Sequence, residues 1–292
     1  RTLRSRQLIG FLAARNVLPK YGFPVDVVEL NLRGSGNPLA AKVELSRDLK
    51  MAITDYAPGS HVVAAKTVWM STGVQLRPDH GLPRYAWAQC QDCSAFRRGL
   101  AERPVECHVC GSTQLKPGSA GNFVVPVYGF VGRDVEKSGE ARQPKTAFAE
   151  AFFSSDEDQP FDAVEGLGGT VSLAARVSRQ GRVTMINKGA MAGYRICEWC
   201  GAGELAPVSG ASKRKPTTHA DQRRPGKQCG GKLTSAMLGH EYLTDVVELK
   251  FDTSFDFDTA HSVLAALLES TRDIGINREE VDGTLFVHSR GV

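Results

Sequence analysis

The chain has 292 residues, 41% hydrophobic and 23% charged, with 36 Lys and Arg against 32 Asp and Glu for a net charge of +4. That length leaves room for two domains or three small modules, and the apolar content suffices for a sizeable core. No window approaches eighteen unbroken apolar residues and no signal peptide precedes Arg1, so a cytoplasmic chain that neither spans a membrane nor is secreted is expected. Arg1 in place of Met, and a strand-like run just before Val292, read as a piece of a longer polypeptide.

The first twenty residues predict a basic, partly amphipathic helix. Leu8, Phe11 and Leu12 share a face, and Arg1, Arg4, Arg6, Arg15 and Lys20 occur with no acidic residue among them. That face is either solvated or turned to phosphates. Val25 to Leu32 reads as a largely buried strand, and Gly34-Ser35-Gly36-Asn37-Pro38 as an ordinary turn, because no Lys-Ser/Thr follows it. Ser46 is a good N-cap for a short helix with the stripe Leu49, Ala52, Ile53 and Tyr56, ended by Pro58-Gly59. His61 to Leu76 predicts a β-hairpin or meander.

The first cysteine cluster follows. All seven cysteines of the chain fall into two clusters, and an odd total in Cys-x-x-Cys pairs argues for metal ligation rather than a disulfide framework. Cys90-x-x-Cys93, thirteen residues, then Cys107-x-x-Cys110-Gly111 is a zinc-ribbon spacing, with the strand Arg84–Gln89 leading in. Arg97, Arg98 and Arg103 lie between its knuckles; such a ribbon is either a structural staple or a DNA contact.

Asn122 to Phe130 predicts a strand returning to the main domain. Residues 132–159 have loop or linker composition, with a short helix expected around Ala147–Phe153. Thr170 to Ile186 alternates as a hairpin with Gln180-Gly181 as its turn, and Asn187-Lys188-Gly189 is a second turn. The second cluster is Cys197-x-x-Cys200-Gly201 with Cys229 downstream. A tetrahedral zinc needs a fourth ligand: His219 is the choice, with eighteen residues between it and Cys200 and nine between it and Cys229, and His240 the alternative. From Pro207 on, the intervening loop carries Lys213, Arg214, Lys215, Arg223, Arg224 and Lys227 against one acid, Asp221. It is either a platform for phosphate contacts or a solubilising insertion. Thr244–Phe251 reads as a strand. A helix capped by Asp258 or Thr259 follows, with Ala260, Val263, Leu264, Leu267 and Leu268 as a core stripe, and a last strand at Thr284–His288.

Three places in this order carry a resemblance. They are Phe11 to Leu30; Leu45-Ser46-Arg47-Asp48-Leu49 with Asp55-Tyr56-Ala57-Pro58-Gly59; and Gly193-Tyr194-Arg195-Ile196-Cys197 onward through His219, Cys229 and Leu238-Gly239-His240-Glu241. Together they resemble the zinc-binding, helicase-associated domain at the C-terminus of some superfamily-two DEAD/DEAH-type helicases. These include MrfA-type repair helicases and large anti-phage helicases of the Druantia kind. The resemblance implies DNA as a partner through its phosphate backbone, helicase motor domains on the same polypeptide, and other defence or repair subunits. ATP and magnesium would belong only to the missing motor.

The expected fold is α+β, mainly antiparallel β with a few helices and two zinc-binding modules. Residues 1–80 would pack on the main domain, 81–118 form the zinc ribbon, and 119–292 the helicase-associated domain with the second zinc site, truncated at its C-terminus. No Gly-x-x-x-x-Gly-Lys-Ser/Thr is present, His240-Glu241 lacks the second His of a metalloprotease helix, and no His-x-Glu precedes a Pro-Cys-x-x-Cys. With four protein ligands each, both zinc sites would be closed to chemistry. The expected role is a nucleic-acid-engaging accessory region of an ATP-dependent helicase, binding by charge alone since no aromatic-rich stacking surface is evident. The alternative is a zinc-stapled scaffold for partner subunits.

Overall fold

The computed structural model describes residues 26–78, 80–92, 95–99, 105–107, 110–116, 122–135, 149–154, 160–164, 172–190, 192–207, 218–253, 255–278 and 281–285. The basic N-terminal helix expected over residues 1–20, Arg103 and residues 286–288 of the last expected strand lie outside them. The described chain is mostly β-sheet with two α-helices.

β1 (Val27–Asn31) buries Val28 and Leu30 and turns Val27 outward, so it is a half-buried strand rather than a largely buried one. It pairs antiparallel with β2 (Ser46–Asp48). Ser46 therefore sits in a strand, and Asp48 caps the helix α1 (Leu49–Asp55) instead, accepting the Lys50 N–H at 2.7 Å. A carboxylate one residue before the first turn outcompetes a serine three residues away. Leu49, Ala52 and Ile53 face the core as the spacing requires. β3 (His61–Ala64) and β4 (Thr67–Val74) form the expected hairpin over Ala65-Lys66, two non-glycine residues at φ 50° and 59°.

β5 (Arg84–Cys90), β6 (Phe96–Gly99), β7 (Leu115–Lys116) and β8 (Asn122–Val124) come next, and β5 is the shared partner of the other three. The strand expected over 122–130 is broken in two. The chain turns at Gly129 (φ 90°), where a Cβ would lie 2.5 Å from the Glu29 carbonyl oxygen, and β9 (Phe130–Asp134) then joins β1 and β4.

β10 (Ala149–Ser154) occupies the place of the helix expected there. Its Ala, Glu and Phe residues suit a helix locally, but six successive residues pair with β12 (Leu173–Asn187), and sheet packing overrides propensity. The two-residue strand β11 (Asp162–Ala163) pairs with the far end of β12. Gln180-Gly181 is not a turn: β12 is continuous and shifts register between Ser178 and Gly181, where a Cβ would meet Val246 Cγ2 at 2.3 Å.

β13 (Tyr194–Cys197), β14 (Gly203–Leu205), β15 (His219–Ala220) and β16 (Gln228–Cys229) lead into β17 (Leu233–Phe251). This nineteen-residue strand is the spine. Its first part pairs with β13, Met237 and Leu238 run parallel to β8, and the rest pairs with β12 out to Leu173↔Phe251. Beside it Asn187 is fully buried, donating to the Ile53 carbonyl at 2.7 Å and accepting from the Tyr194 hydroxyl at 3.1 Å. Trp69, Tyr56, Tyr194, Phe123 and Phe130 fill the core around this junction. The helix α2 (Phe257–Ser270), capped by Asp256, follows; its stripe is only partly covered, with Leu268 buried and Leu267 exposed. No helix among the described residues is long and apolar enough to cross a membrane.

Candidate metal centres

Two clusters of metal-ligating side chains are present, and both are built on the same turn. Cys197 donates its N–H to the Ala202 carbonyl at 2.8 Å and accepts the Gly201 N–H at 2.9 Å. Cys107 does the same with Ser112 and Gly111 at 2.8 and 2.9 Å, and Cys90 donates to the Ala95 carbonyl at 2.9 Å. Gly201 and Gly111 are at φ 82° and 69°, where an L side chain is disfavoured, which is why glycine follows Cys200 and Cys110. The knuckle wraps backbone N–H groups around sulfur: Cys200 N–H points at Cys197 Sγ (3.4 Å), and Ala202 N–H at Cys200 Sγ (3.5 Å).

The Cys197 centre takes donors from two places along the chain. β13 delivers Cys197 and Cys200, and the hairpin of β15 and β16 pairs His219 directly with Cys229. Cys197, Cys200, His219 and Cys229 place their donor atoms all within 4.8 Å of one another. Cys197 and Cys229 sulfurs are 4.0 Å apart, and Cys200 Sγ is 3.2 Å from His219 Nε2. A tetrahedral ion with metal–sulfur bonds of about 2.3 Å separates its sulfurs by ~3.8 Å, so the donor set fits one. Gly231 seals the far side: a Cβ there would lie 2.7 Å from Cys197 Sγ. Burial pushes the Cys200 thiol up to about 12, so a thiolate in this position calls for a cation beside it.

His240 lies elsewhere. It is buried in β17, stacks on Tyr242 with ring centroids 5.5 Å apart, and holds Nε2 3.9 Å from Asp26. Burial lowers its pKa, against the opposing pull of Asp26 and Asp48.

In the other centre Cys90, Cys107 and Cys110 place their sulfurs within 4.8 Å of one another, with Cys90 and Cys110 3.6 Å apart. Cys93 lies outside the described residues.

The basic candidates separate into distinct environments. Arg97 is exposed on β6, whereas Arg98 on the opposite face ion-pairs Glu241 and lies over the Tyr85 ring at 4.5 Å. Arg223 and Arg224 are exposed beside the Cys197 centre. Lys213, Arg214 and Lys215 lie outside the described residues. Two residues were not singled out from sequence. Asp221, the one acid between Pro207 and Cys229, is buried and accepts from the Arg223 and Arg224 backbone N–H groups at 2.9 and 3.2 Å and from Arg224 Nε at 2.8 Å. Burial would raise its pKa, but these hydrogen bonds and the guanidinium outweigh that and hold it low. Trp199, inside the knuckle, is 63% exposed. A lone acid amid cations was the visible signal for the first; nothing in a tryptophan's identity marks exposure.

No family model matches the chain, and no solved structure does. The chain is 23% identical over 290 residues to the Druantia protein DruE of Escherichia coli (strain UMEA 4076-1), an alignment covering 90% of this chain and 16% of that protein. It spans about a sixth of the length of this curated relative, and is distantly homologous to one region of it.

Proposed function

We propose that this chain is an accessory, nucleic-acid-engaging region of an ATP-dependent DNA helicase or translocase acting in phage defence or DNA repair, stapled by two structural zinc ions. The observation that carries the reading is the collinear similarity to part of a Druantia protein over nine-tenths of the chain. The metal centres support it. Three thiolates and one imidazole suit zinc, and a centre filled by four protein donors has no open position, so it holds loops rather than doing chemistry. Cys90, Cys93, Cys107 and Cys110 would hold the other ion. The loop between Cys200 and Cys229, pinned at both ends, presents Arg223 and Arg224 and carries four further cations in its sequence, and phosphate contacts need cations more than exact register.

The test is DNA binding by the 292-residue chain across salt concentration, with zinc measured in the same samples. Two zincs per chain are expected. Reversing Arg97, Lys213, Arg214 and Lys215 to Glu should weaken binding alike across sequences, reducing the log–log salt slope by about 0.9 for each duplex phosphate that is no longer neutralised, with both zincs retained. Arg224 is left intact because it neutralises buried Asp221. Unchanged affinity would favour the scaffold reading. That reading has its own support in the exposed Val177↔Val247 pair on the arm formed by β12 and β17, which is apolar surface suited to a protein partner.

A further inference from the structure

Between the Cys197 knuckle and residues 76–78 and 80–84 lies a cleft of about 730 Å³. We propose that this cleft is a single-strand subsite, in which a base stacks on Trp199 while arginines on both walls hold the flanking phosphates. The proposal rests on the nucleic-acid reading above and adds to it a ligand form and a position.

Chemistry on each wall argues for it. On the knuckle side Trp199 is 63% exposed and lines the cleft, an indole with an apolar face open to a ligand. It stands there because the two knuckle cysteines turn toward each other and the two residues between them, Glu198 and Trp199, are left facing out. Arg223 braces it, donating from Nη1 to the Trp199 carbonyl at 3.3 Å with its guanidinium 5.8 Å from the ring centre. Arg224 sits alongside, already paired with Asp221, so the loop is held in one shape before a ligand arrives.

Arg77 on the opposite wall is exposed and lies over the Tyr128 ring at 4.8 Å, and Arg84 bonds Glu198 at 3.0 Å. Among the described residues four arginines thus line the cleft against two carboxylates, and Asp221 is buried beneath its partner. Guanidinium groups match phosphate oxygens two at a time. Leu76 and Leu82 supply an apolar floor. An aromatic face within a cationic groove is the arrangement that binds unpaired strands, because every base has a π-face to offer. A duplex keeps those faces stacked inside and cannot offer them to Trp199. The expectation from sequence is that no aromatic-rich stacking surface accompanies the cations; the subsite needs only this one exposed indole.

Intrinsic fluorescence tests the site directly. The chain has three tryptophans, and Trp69 and Trp87 are 0% and 4% exposed, so a ligand-dependent change reports on Trp199. Titrating the zinc-loaded chain with oligo(dT) should quench that emission, while a blunt duplex of the same sequence length should not. Trp199→Ala should weaken oligo(dT) binding about 5- to 150-fold, leave duplex affinity and zinc content unchanged, and leave the salt slope intact. Trp199→Phe should restore most of the affinity, which separates stacking from damage to the knuckle. Binding that persists without quenching and is indifferent to Trp199→Ala overturns the subsite but leaves the electrostatic reading standing. Equal quenching by polyglutamate overturns it in favour of an acidic peptide. Absence of binding to either DNA overturns both readings.

Discussion

The two metal centres share a knuckle but not a setting. The Cys197 centre is inside the molecule. Its three cysteines are nearly inaccessible, β13 feeds it from the spine strand, and β4 docks on it backbone to backbone. Val74 donates its N–H to the Gly201 carbonyl at 2.9 Å, and a Cβ on Gly73 would lie 2.1 Å from that same oxygen. The Cys90 centre is local. It closes the short strands β5, β6 and β7 on one another and, among the described residues, packs against Ala95 and Leu115, with Cys110 partly exposed. One centre therefore joins two sheets, whereas the other fastens the end of one. Identical turn chemistry can serve global or local stability depending on what the turn is pressed against.

The largest effect should come from emptying each centre in turn. Cys197→Ser or His219→Ala removes a donor from the joint between the sheets. Structural zinc contributes about 10–16 kcal/mol in small sites, against a typical domain stability of about 5–15 kcal/mol. Cys197→Ser should therefore leave β13, β17 and β4 without their shared anchor and abolish the cooperative unfolding transition. Cys107→Ser should release one of two metal ions yet preserve that transition, with hydrogen-exchange protection falling only over β5–β7. Equal damage from both would remove the distinction between the centres.

A smaller effect should come from the docking of the turn on β4, with the metal kept. Gly201→Ala places a methyl 2.1 Å from the Val74 carbonyl oxygen at φ 82°. Neither backbone can yield without breaking the bond between Val74 and Gly201, so a destabilisation of about 3 kcal/mol or more is expected, readable as a shifted denaturant midpoint. Gly111→Ala has the same positive φ but open space around its Cβ, and should cost about 1 kcal/mol. A ratio near one would mean the turn, not the docking, sets the cost.

Much of this is legible in the sequence. The Cys-x-x-Cys-Gly pairs announce knuckles because the turn needs glycine at positive φ, and the loop length makes His219 a sound fourth donor. What sequence could not supply were partners set by tertiary register. Arg98 reads as a cation for phosphate, yet Glu241 and Tyr85, remote in sequence, occupy it. Gly181 reads as a turn, and is instead the gap that lets Val246 of the neighbouring strand approach. Ala149–Ser154 has a helix former's composition and becomes a strand because β12 offers an open edge.

The subtlest test concerns the histidine that stands apart from both centres. His240 is 4% exposed, its Nδ1 has no hydrogen-bond partner among the described residues, and Asp26, Asp48, Lys50 and Tyr242 surround it. Burial lowers its pKa beneath the ordinary 6.5, with Asp26 and Asp48 pulling the other way and Lys50 adding to the depression. The unfolded chain then takes up the proton more readily than the folded one. His240 thus contributes stability that is intact above pH ~6.5 and is lost as pH falls through its lower folded value. Acid also protonates metal-bound thiolates, so the pH profile of the parent alone mixes the two causes. His240→Gln keeps a polar side chain and removes only the imidazole titration. Its urea midpoint should fall less than the parent's between pH 6.5 and 5, while zinc content at pH 7.5 stays unchanged. Loss of metal on this substitution would place His240 within the reach of the Cys197 centre and undo the separation between them; parallel pH profiles would mean that the buried imidazole is protonated as easily as a free one.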